Sequence, residues 1–456
     1  MNALKKKFGV ASISSFALIL TTIASINASP SQGFSTANTL GSDWSFTKQN
    51  TYPASHQFSG LVGNSDQSRL LTSTYDINGN HLLQEGLSLS EDHGLTWRNL
   101  EHDCRSPVQI SNDGSKIYCR NSNFESILID SSINGGVNWN SILVYGDNTS
   151  QQNIPDLFKD AAFASSQDGS KLFVAMASVQ LHDLPTSPSI MGGIFISSDS
   201  GSTWNQVDTD PDQGWGSITV SADGSNLVAS TRAYVIRDGS IIRNGLNATS
   251  SLYVSHNAGL TWEKRLTISP IKIHGPILDS KLVSSRDGKI VYALFNGSVS
   301  RSMNAGDSWT RLNLHRLGLD SGIIATSDSG KQVVVSGSAS VLFFSNDYGK
   351  TWVVPAGQKN LYSKMWTYKN HSPMTIGWSQ LLFSGNGKHI EGVMFSENGD
   401  YSSYAINLPT SNVLSTGLHF AFCVSLDQNT GYYSFVSKLP YCRRGFRPAP
   451  GQSFPE

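Results

Sequence analysis

The chain has 456 residues, with 33 Lys and Arg against 34 Asp and Glu, a formal charge of −1 and only 15% charged residues. Near-neutral charge without a polybasic run excludes an electrostatic nucleic-acid or membrane-surface binder. Gly alone numbers 41, and with abundant Ser and Asn this composition suits a β-protein with many turns.

Residues 1–28 read as a processing segment. Lys5, Lys6 and Lys7 precede an apolar run over 8–24, and Ala28 offers a small residue for cleavage, which is the pattern of a secretory signal peptide. Its removal takes three Lys and no acid, so the mature chain carries four net negative charges. No later stretch is apolar enough to span a bilayer. The expectation is a secreted or periplasmic monomer with no membrane span once the signal is gone.

Past this segment the chain repeats. An octet of the form S-x-D-x-G-x-T-W occurs at 90–97 (SEDHGLTW), 197–204 (SSDSGSTW), 255–262 (SHNAGLTW) and 345–352 (SNDYGKTW), with weaker copies at 132–139 (SINGGVNW) and 302–309 (SMNAGDSW). Its chemistry is that of a hairpin turn. An Asx side chain at the third position (Asp92, Asn134, Asp199, Asn257, Asn304, Asp347) accepts hydrogen bonds from nearby backbone N–H groups. Gly at the fifth permits positive φ, and the closing Trp presents a large apolar face to a neighbouring unit. These three Asp and three Asn are therefore expected as turn staples rather than metal ligands or catalytic groups.

A second phrase precedes each octet: an apolar strand, Ser-x-Asp-Gly, then another apolar strand. It occurs at 111–114, 166–169, 221–224 and 285–288, with looser forms at 65–66, 327–330 and 384–387. Asp-Gly between strands is a strong hairpin signal. Seven phrases, spaced by 42–64 residues, imply seven four-stranded units. For the third, the strands are expected at 161–166, 171–177, 193–197 and 204–207. The last unit is irregular, drawing strands from 380–395 and 401–407, and GSDW at 41–44 looks like the tail of an octet. The segment from 45 on is expected to supply the missing strand and close the ring, leaving no open edge. A further hairpin-like pair at 418–437 stands outside this count, as part of an eighth unit or a lid, and 440–456 reads as an exposed tail. One domain over 29–439 is expected.

The octet resembles the Asp-box, or BNR repeat, of sialidases, sortilin-type receptors, xyloglucanases and photosystem II assembly-factor propellers. The resemblance covers about 44–406 and implies an all-β, seven-bladed β-propeller. It leaves activity open, because that family mixes hydrolases with binding proteins. Sialidases, as the family implies, use three Arg, a Tyr nucleophile and a Phe/Tyr-Arg-Ile-Pro motif; this chain lacks the tetrapeptide. Near one-per-blade use of the octet is closer to the xyloglucanase, sortilin and assembly-factor propellers.

Four cysteines remain: Cys104, Cys119, Cys423 and Cys442. An even count in an exported chain favours disulfides. Of three connectivities, Cys104–Cys119 and Cys423–Cys442 join near neighbours, although a turn at Asp113-Gly114 places Cys119 across from Val108, so Cys104 must fold back. No Cys/His spacing argues for zinc, and no cofactor is expected.

In a propeller, both turn motifs fall on one face and the longer loops on the other, where ligands gather over the channel. Tyr75, Trp215, Tyr234, Trp366, Tyr368 and Trp378 lie in or beside those loops and could stack on sugar rings. Asp76, Asp160, Asp210 and Asp212 are candidates for the carboxylate pair of a glycoside hydrolase, which needs two groups about 5 Å or about 6.5–9.5 Å apart. No G-x-S-x-G accompanies the loop histidines His81, His182, His274 and His371. The reading is a binding platform for a glycan or protein ligand, with a polysaccharide hydrolase as the alternative.

Overall fold

The computed structural model describes residues 44–52, 56–76, 84–102, 104–121, 127–145, 161–176, 179–180, 193–207, 214–231, 234–237, 240–243, 250–268, 280–295, 298–312, 322–336, 342–353, 355, 377–395, 401–408, 421–426, 433–439 and 447–448. Among these there is no helix, and the strands form a seven-bladed β-propeller.

From the innermost strand outward, blade one is His56–Gly63, Leu70–Asp76, Gln84–Ser90 and Arg98–Asn99. Blade two is Cys104–Ile110, Ile117–Asn121, Ile127–Ser132 and Asn140–Tyr145. Blade three is Ala162–Ser165, Leu172–Met176, Gly193–Ser197 and Asn205–Val207. Blade four is Trp215–Val220, Leu227–Thr231, Ser250–Ser255 and Glu263–Ile268. Blade five is Lys281–Ser284, Val291–Phe295, Ser298–Ser302 and Thr310–Arg311. Blade six has Ile323–Thr326, Val333–Ser336 and Leu342–Ser345, with a single bridge from Phe344 to Val353 in place of a fourth strand. Blade seven is Gly377–Phe383, His389–Phe395 and Tyr401–Asn407, completed by the N-terminal strand Ser45–Tyr52. That strand runs antiparallel to Tyr401–Asn407, with Ser45 opposite Asn407 and Tyr52 opposite Tyr401. The ring closes as the sequence predicts.

Burial explains why the second strands do not alternate. Leu172–Met176, Leu227–Thr231 and Val291–Phe295 are buried at every position. A strand sandwiched between two neighbouring blades has no solvent face, so it reads as a continuous apolar run. The core is accordingly a series of layers between blades. The layer between blades five and six gathers Tyr292, Leu294, Val299, Leu312, Val333, Val335, Phe343 and Trp352. Each octet Trp from blade two to blade six packs into the layer facing the preceding blade. Trp44 takes the corresponding place between blades six and seven, edge-on to Phe344 at 5.1 Å.

The octets adopt one geometry. In all six, the Gly N–H donates to the first Ser Oγ at 2.8–2.9 Å, and the N–H of the seventh residue donates to the Asx Oδ1 at 2.8–3.0 Å. The fourth residue is left-handed as well as the fifth: His93, Gly135, Ser200, Ala258, Ala305 and Tyr348 have φ between 56° and 69°.

The inner turns are tied to one another around the axis. The second residue of each turn donates its N–H to the carbonyl of its counterpart in the next: Asn112 to Gln167, Gln167 to Ala222, Ala222 to Arg286, and Arg286 to Asp328, each at 2.8 Å. Asp328 then donates to Gly385 at 3.2 Å and Gly385 to Ser65 at 2.6 Å. The Ser65 N–H completes the circle on the Asn112 Oδ1 at 3.0 Å. Seven turns thus form a closed ring of hydrogen bonds. In blade one the phrase begins a residue earlier than the sequence reading places it. Asn64 there accepts from the Arg69 N–H, the role Ser111 plays for Lys116, and Gln67 occupies the glycine position with φ 60°.

The final strands lie outside the ring. Ala421–Leu426 pairs with Tyr433–Leu439 and with Arg447–Pro448 in a three-stranded sheet that, among the described residues, shares no ladder with any blade. They form neither an eighth blade nor part of the seventh, which is already complete. Part of the expected tail is the third strand of this sheet. Cys423 and Cys442 lie where side chains are not described, as does all of 1–28. Cys104–Cys119 is a disulfide with Cα atoms 5.8 Å apart. The expected pairing of Val108 with Cys119 is present, and a bulge between Arg105 and Val108 brings Cys104 back to reach it.

Candidate functional site

The two faces differ in what they can offer. On the turn face the third-position Asp residues of both motifs are tied into their own turns. Asp113 receives the Ser111 hydroxyl at 2.6 Å and the Ser115 N–H at 3.0 Å, and these bonds hold its carboxyl down at about 2. Asp168 is held at about 2 by Ser166 and Ser170, and Asp199 at about 2 by Thr203 and Ser197. Asp92 is lowered chiefly by Thr96. Acids that strongly prefer their charged, bonded form are poor proton donors at neutral pH. The expected role of the six octet Asx residues as turn staples is what their hydrogen bonds express.

The loop face is built by insertions. The chain between the second and third strands of blade four contains Tyr234–Arg237 and Ser240–Arg243, paired antiparallel. Val179–Gln180, from the equivalent connection of blade three, adds to it in parallel, Val179 opposite Ile236 and Gln180 opposite Arg237. The result is a three-stranded sheet outside the blades, joining two neighbours on the loop side. Asp238-Gly239, between two apolar runs, is the same sequence signal that marks the inner turns and would have located this hairpin. Tyr234 opens it.

Among the stacking candidates, Trp215 and Trp378 are only 1% and 5% exposed. Trp215 packs between blades three and four, edge-on to Tyr253 at 5.2 Å. Trp378 packs edge-on to Tyr404 at 5.7 Å between blades six and seven. A bulge follows each of them, before Ser217 and before Gln380, and a bulge re-aims side chains. Both indoles are core residues with no face open to a sugar, which corrects their assignment as ligand platforms. Tyr75 and Asp76 end the second strand of blade one, opposite Glu85 and Gln84; only their backbone is described. Trp366, Tyr368, Asp160, Asp210 and Asp212 lie outside the described residues.

The seam where blade seven meets blade one carries polar groups that sequence reading did not single out. Glu391, 2% exposed, accepts from His389 Nε2 at 2.7 Å and from Gln49 Nε2 at 3.5 Å. His389 Nδ1 meets Asn407 Oδ1 at 2.8 Å, and Asn407 Nδ2 donates to Ser45 Oγ at 3.1 Å. Gln49 also donates to the His93 carbonyl. The closing strand is thus bolted to both blades through side chains. Burial drives the Glu391 carboxyl up, outweighing its bond from His389. For His389, burial opposes the charged ring, but bonds to Glu391 and Asn407 prevail and raise it. A hollow of about 330 Å³ lies over this seam, lined by Gln49, Asp66, His93, Lys388 and His389 among others.

No known family profile matches the chain, and no curated protein matches it. Among solved structures it is similar to YCF48 bound to D1 peptide, at 14% identity over 81% of this chain and 99% of that one, TM-score 0.46. It is also similar to YCF48 from Cyanidioschyzon merolae, at 12% identity over 82% and 100%, TM-score 0.49. A GH74 enzyme from Niastella koreensis is similar at 14% identity over 76% of this chain and 65% of that one, TM-score 0.38. No described helix is long and apolar enough to cross a membrane.

Proposed function

We propose that this chain is a BNR-type propeller whose octets are Asp-boxes, exported by residues 1–28, and that it is a binding platform whose loop face receives an extended protein segment. The observation that carries this reading is the three-stranded sheet formed by Val179–Gln180, Tyr234–Arg237 and Ser240–Arg243. Its flanking strands each have a partner on one side only among the described residues. A strand with an unused edge offers backbone N–H and C=O groups to an incoming extended chain. Glycans remain the second class of ligand for this face, through Tyr75, Tyr234, Trp366 and Tyr368. The hydrolase reading retains Asp76, Asp160, Asp210 and Asp212 as its acids.

The test measures binding of the mature protein to immobilised extended peptides and to polysaccharides, beside a variant in which 234–243 is replaced by a Gly/Ser linker. Peptide capture that disappears in the linker variant at unchanged melting temperature supports the platform. Equal capture by both proteins removes the sheet from the site. Release of reducing ends, lost in Asp160→Asn or Asp212→Asn, replaces the reading with a hydrolase.

A further inference from the structure

Blade two, at the point where the chain enters it, gathers chemistry that the other blades lack. His102 lies in the connection between Arg98–Asn99 and Cys104–Ile110. Its Nε2 is 2.9 Å from Oδ2 of Asp130, a carboxylate only 1% exposed. The other oxygen of Asp130 accepts from Ser141 Oγ at 2.6 Å. The imidazole lies flat on Trp139, with centroids 4.0 Å apart and planes 5° from parallel. One ring nitrogen of His102 and the sulfurs of Cys104 and Cys119 all fall within 4.8 Å of one another.

We propose that Cys104, Cys119 and His102 form a redox-gated site for a thiophilic cation of the Zn²⁺ or Cd²⁺ type. Oxidised, the sulfurs are bonded to each other and the site is shut. A dithiol reductant opens it by delivering two electrons and two protons to the disulfide and leaving as a cyclic disulfide. The cation then binds both sulfurs and releases the two thiol protons. Ligand atoms held tetrahedrally at roughly 2.3 Å from zinc stand about 3.7 Å apart, so sulfurs freed from a bond of about 2 Å must part by roughly 1.7 Å, while the ring nitrogen, within 4.8 Å of both, has about 1 Å at most to close.

His102 is already set for this role. With Asp130 facing Nε2, the ring tautomer that donates there keeps its Nδ1 lone pair for a metal. A carboxylate behind a ligating imidazole is the usual supporting arrangement. Trp139 fixes the ring plane, and the 22% exposure of the His102 side chain provides the way in. Sequence spacing did not suggest such a site, because the bulge between Arg105 and Val108 is what draws Cys104 beside Cys119.

The experiment reduces the full mature chain, desalts it without oxygen and titrates it with Cd²⁺, following thiolate-to-cadmium absorption and the circular-dichroism spectrum. The expected result is one Cd²⁺ per chain, a raised melting temperature for the reduced protein, and affinity at least tenfold weaker in His102→Ala. Asp130→Asn, a positioning variant, should weaken binding by about 10–100-fold. The proposal is overturned if folded reduced protein gives no band, or if His102→Ala binds Cd²⁺ as tightly as wild type. It is equally overturned if reduction unfolds the chain and Cd²⁺ fails to restore the fold.

Discussion

Single residues carry the repeat, and the octet of blade six shows how. Gly349 has φ 77°, and a methyl there would stand 2.6 Å from Leu312 Cδ1. Gly349→Ala should cost about 1–2 kcal/mol for the left-handed backbone alone, with the clash in addition. Trp352, 2% exposed in the layer between blades five and six, should cost about 3–5 kcal/mol when changed to Ala. Both are read from denaturant midpoints at constant slope; a loss under 0.5 kcal/mol for either would show that these turns do not anchor the blades. Gly and Trp were legible because both residue types announce their purpose. The left-handed fourth position was not, since His93, Ala258 and Tyr348 look ordinary in sequence. Their conformation follows from the bonds around them, including the N–H of that residue to the neighbouring inner turn. Trp215 and Trp378 were misplaced for a related reason: a Trp heading a strand and a Trp ending a loop are the same letters, and only the bulge decides which way the ring points.

At the scale of elements, the second strands of blades two to five were legible from their apolar runs and the Asp-Gly turns before them. The insertion sheet was not foreseen, because a parallel partner such as Val179–Gln180 leaves no local mark on the hairpin it joins. Blade two differs from the others in its cross-link. The disulfide spans 15 residues between the first and second strands, and closing a loop of that size stabilises by roughly 3 kcal/mol through the unfolded chain. The Cys104→Ser/Cys119→Ser variant should therefore unfold at lower denaturant by about that amount while keeping its β-sheet spectrum. An unchanged midpoint would mean that the packing of Cys104 and Cys119, both fully buried, does the work alone.

For the whole molecule, two sets of groups set opposite pH limits. Asp113, Asp168 and Asp199 have folded values depressed from 3.8 to about 2. Their contribution is complete above 3.8 and is lost as pH falls toward 2. His389 is raised above 6.5 and Glu391 above 4.5. Groups raised in this sense stabilise fully below their unfolded values, and that contribution is lost as pH climbs through the folded ones. Melting temperature should thus peak in mildly acidic solution, falling on the acid side through the turns and on the alkaline side through the seam. The paired change His389→Gln/Glu391→Gln should flatten the alkaline fall and leave the acid one intact. An alkaline limb unaltered by that change would place it elsewhere.

The closing strand also governs when the fold can exist at all. Gln49 and Glu391 meet across 342 residues of chain, and at roughly 5–20 residues per second synthesis takes about 20–70 s to cover that distance. During that interval Ser45–Tyr52 has no partner, blade one lacks its neighbour, and the inner ring of hydrogen bonds stays open. Blades two to six can stack as each emerges, whereas Ser45–Tyr52 must wait for Tyr401–Asn407. A nascent chain stalled before residue 401 should therefore remain open to protease at the strand Ser45–Tyr52, and a chain extended past Asn407 should protect it.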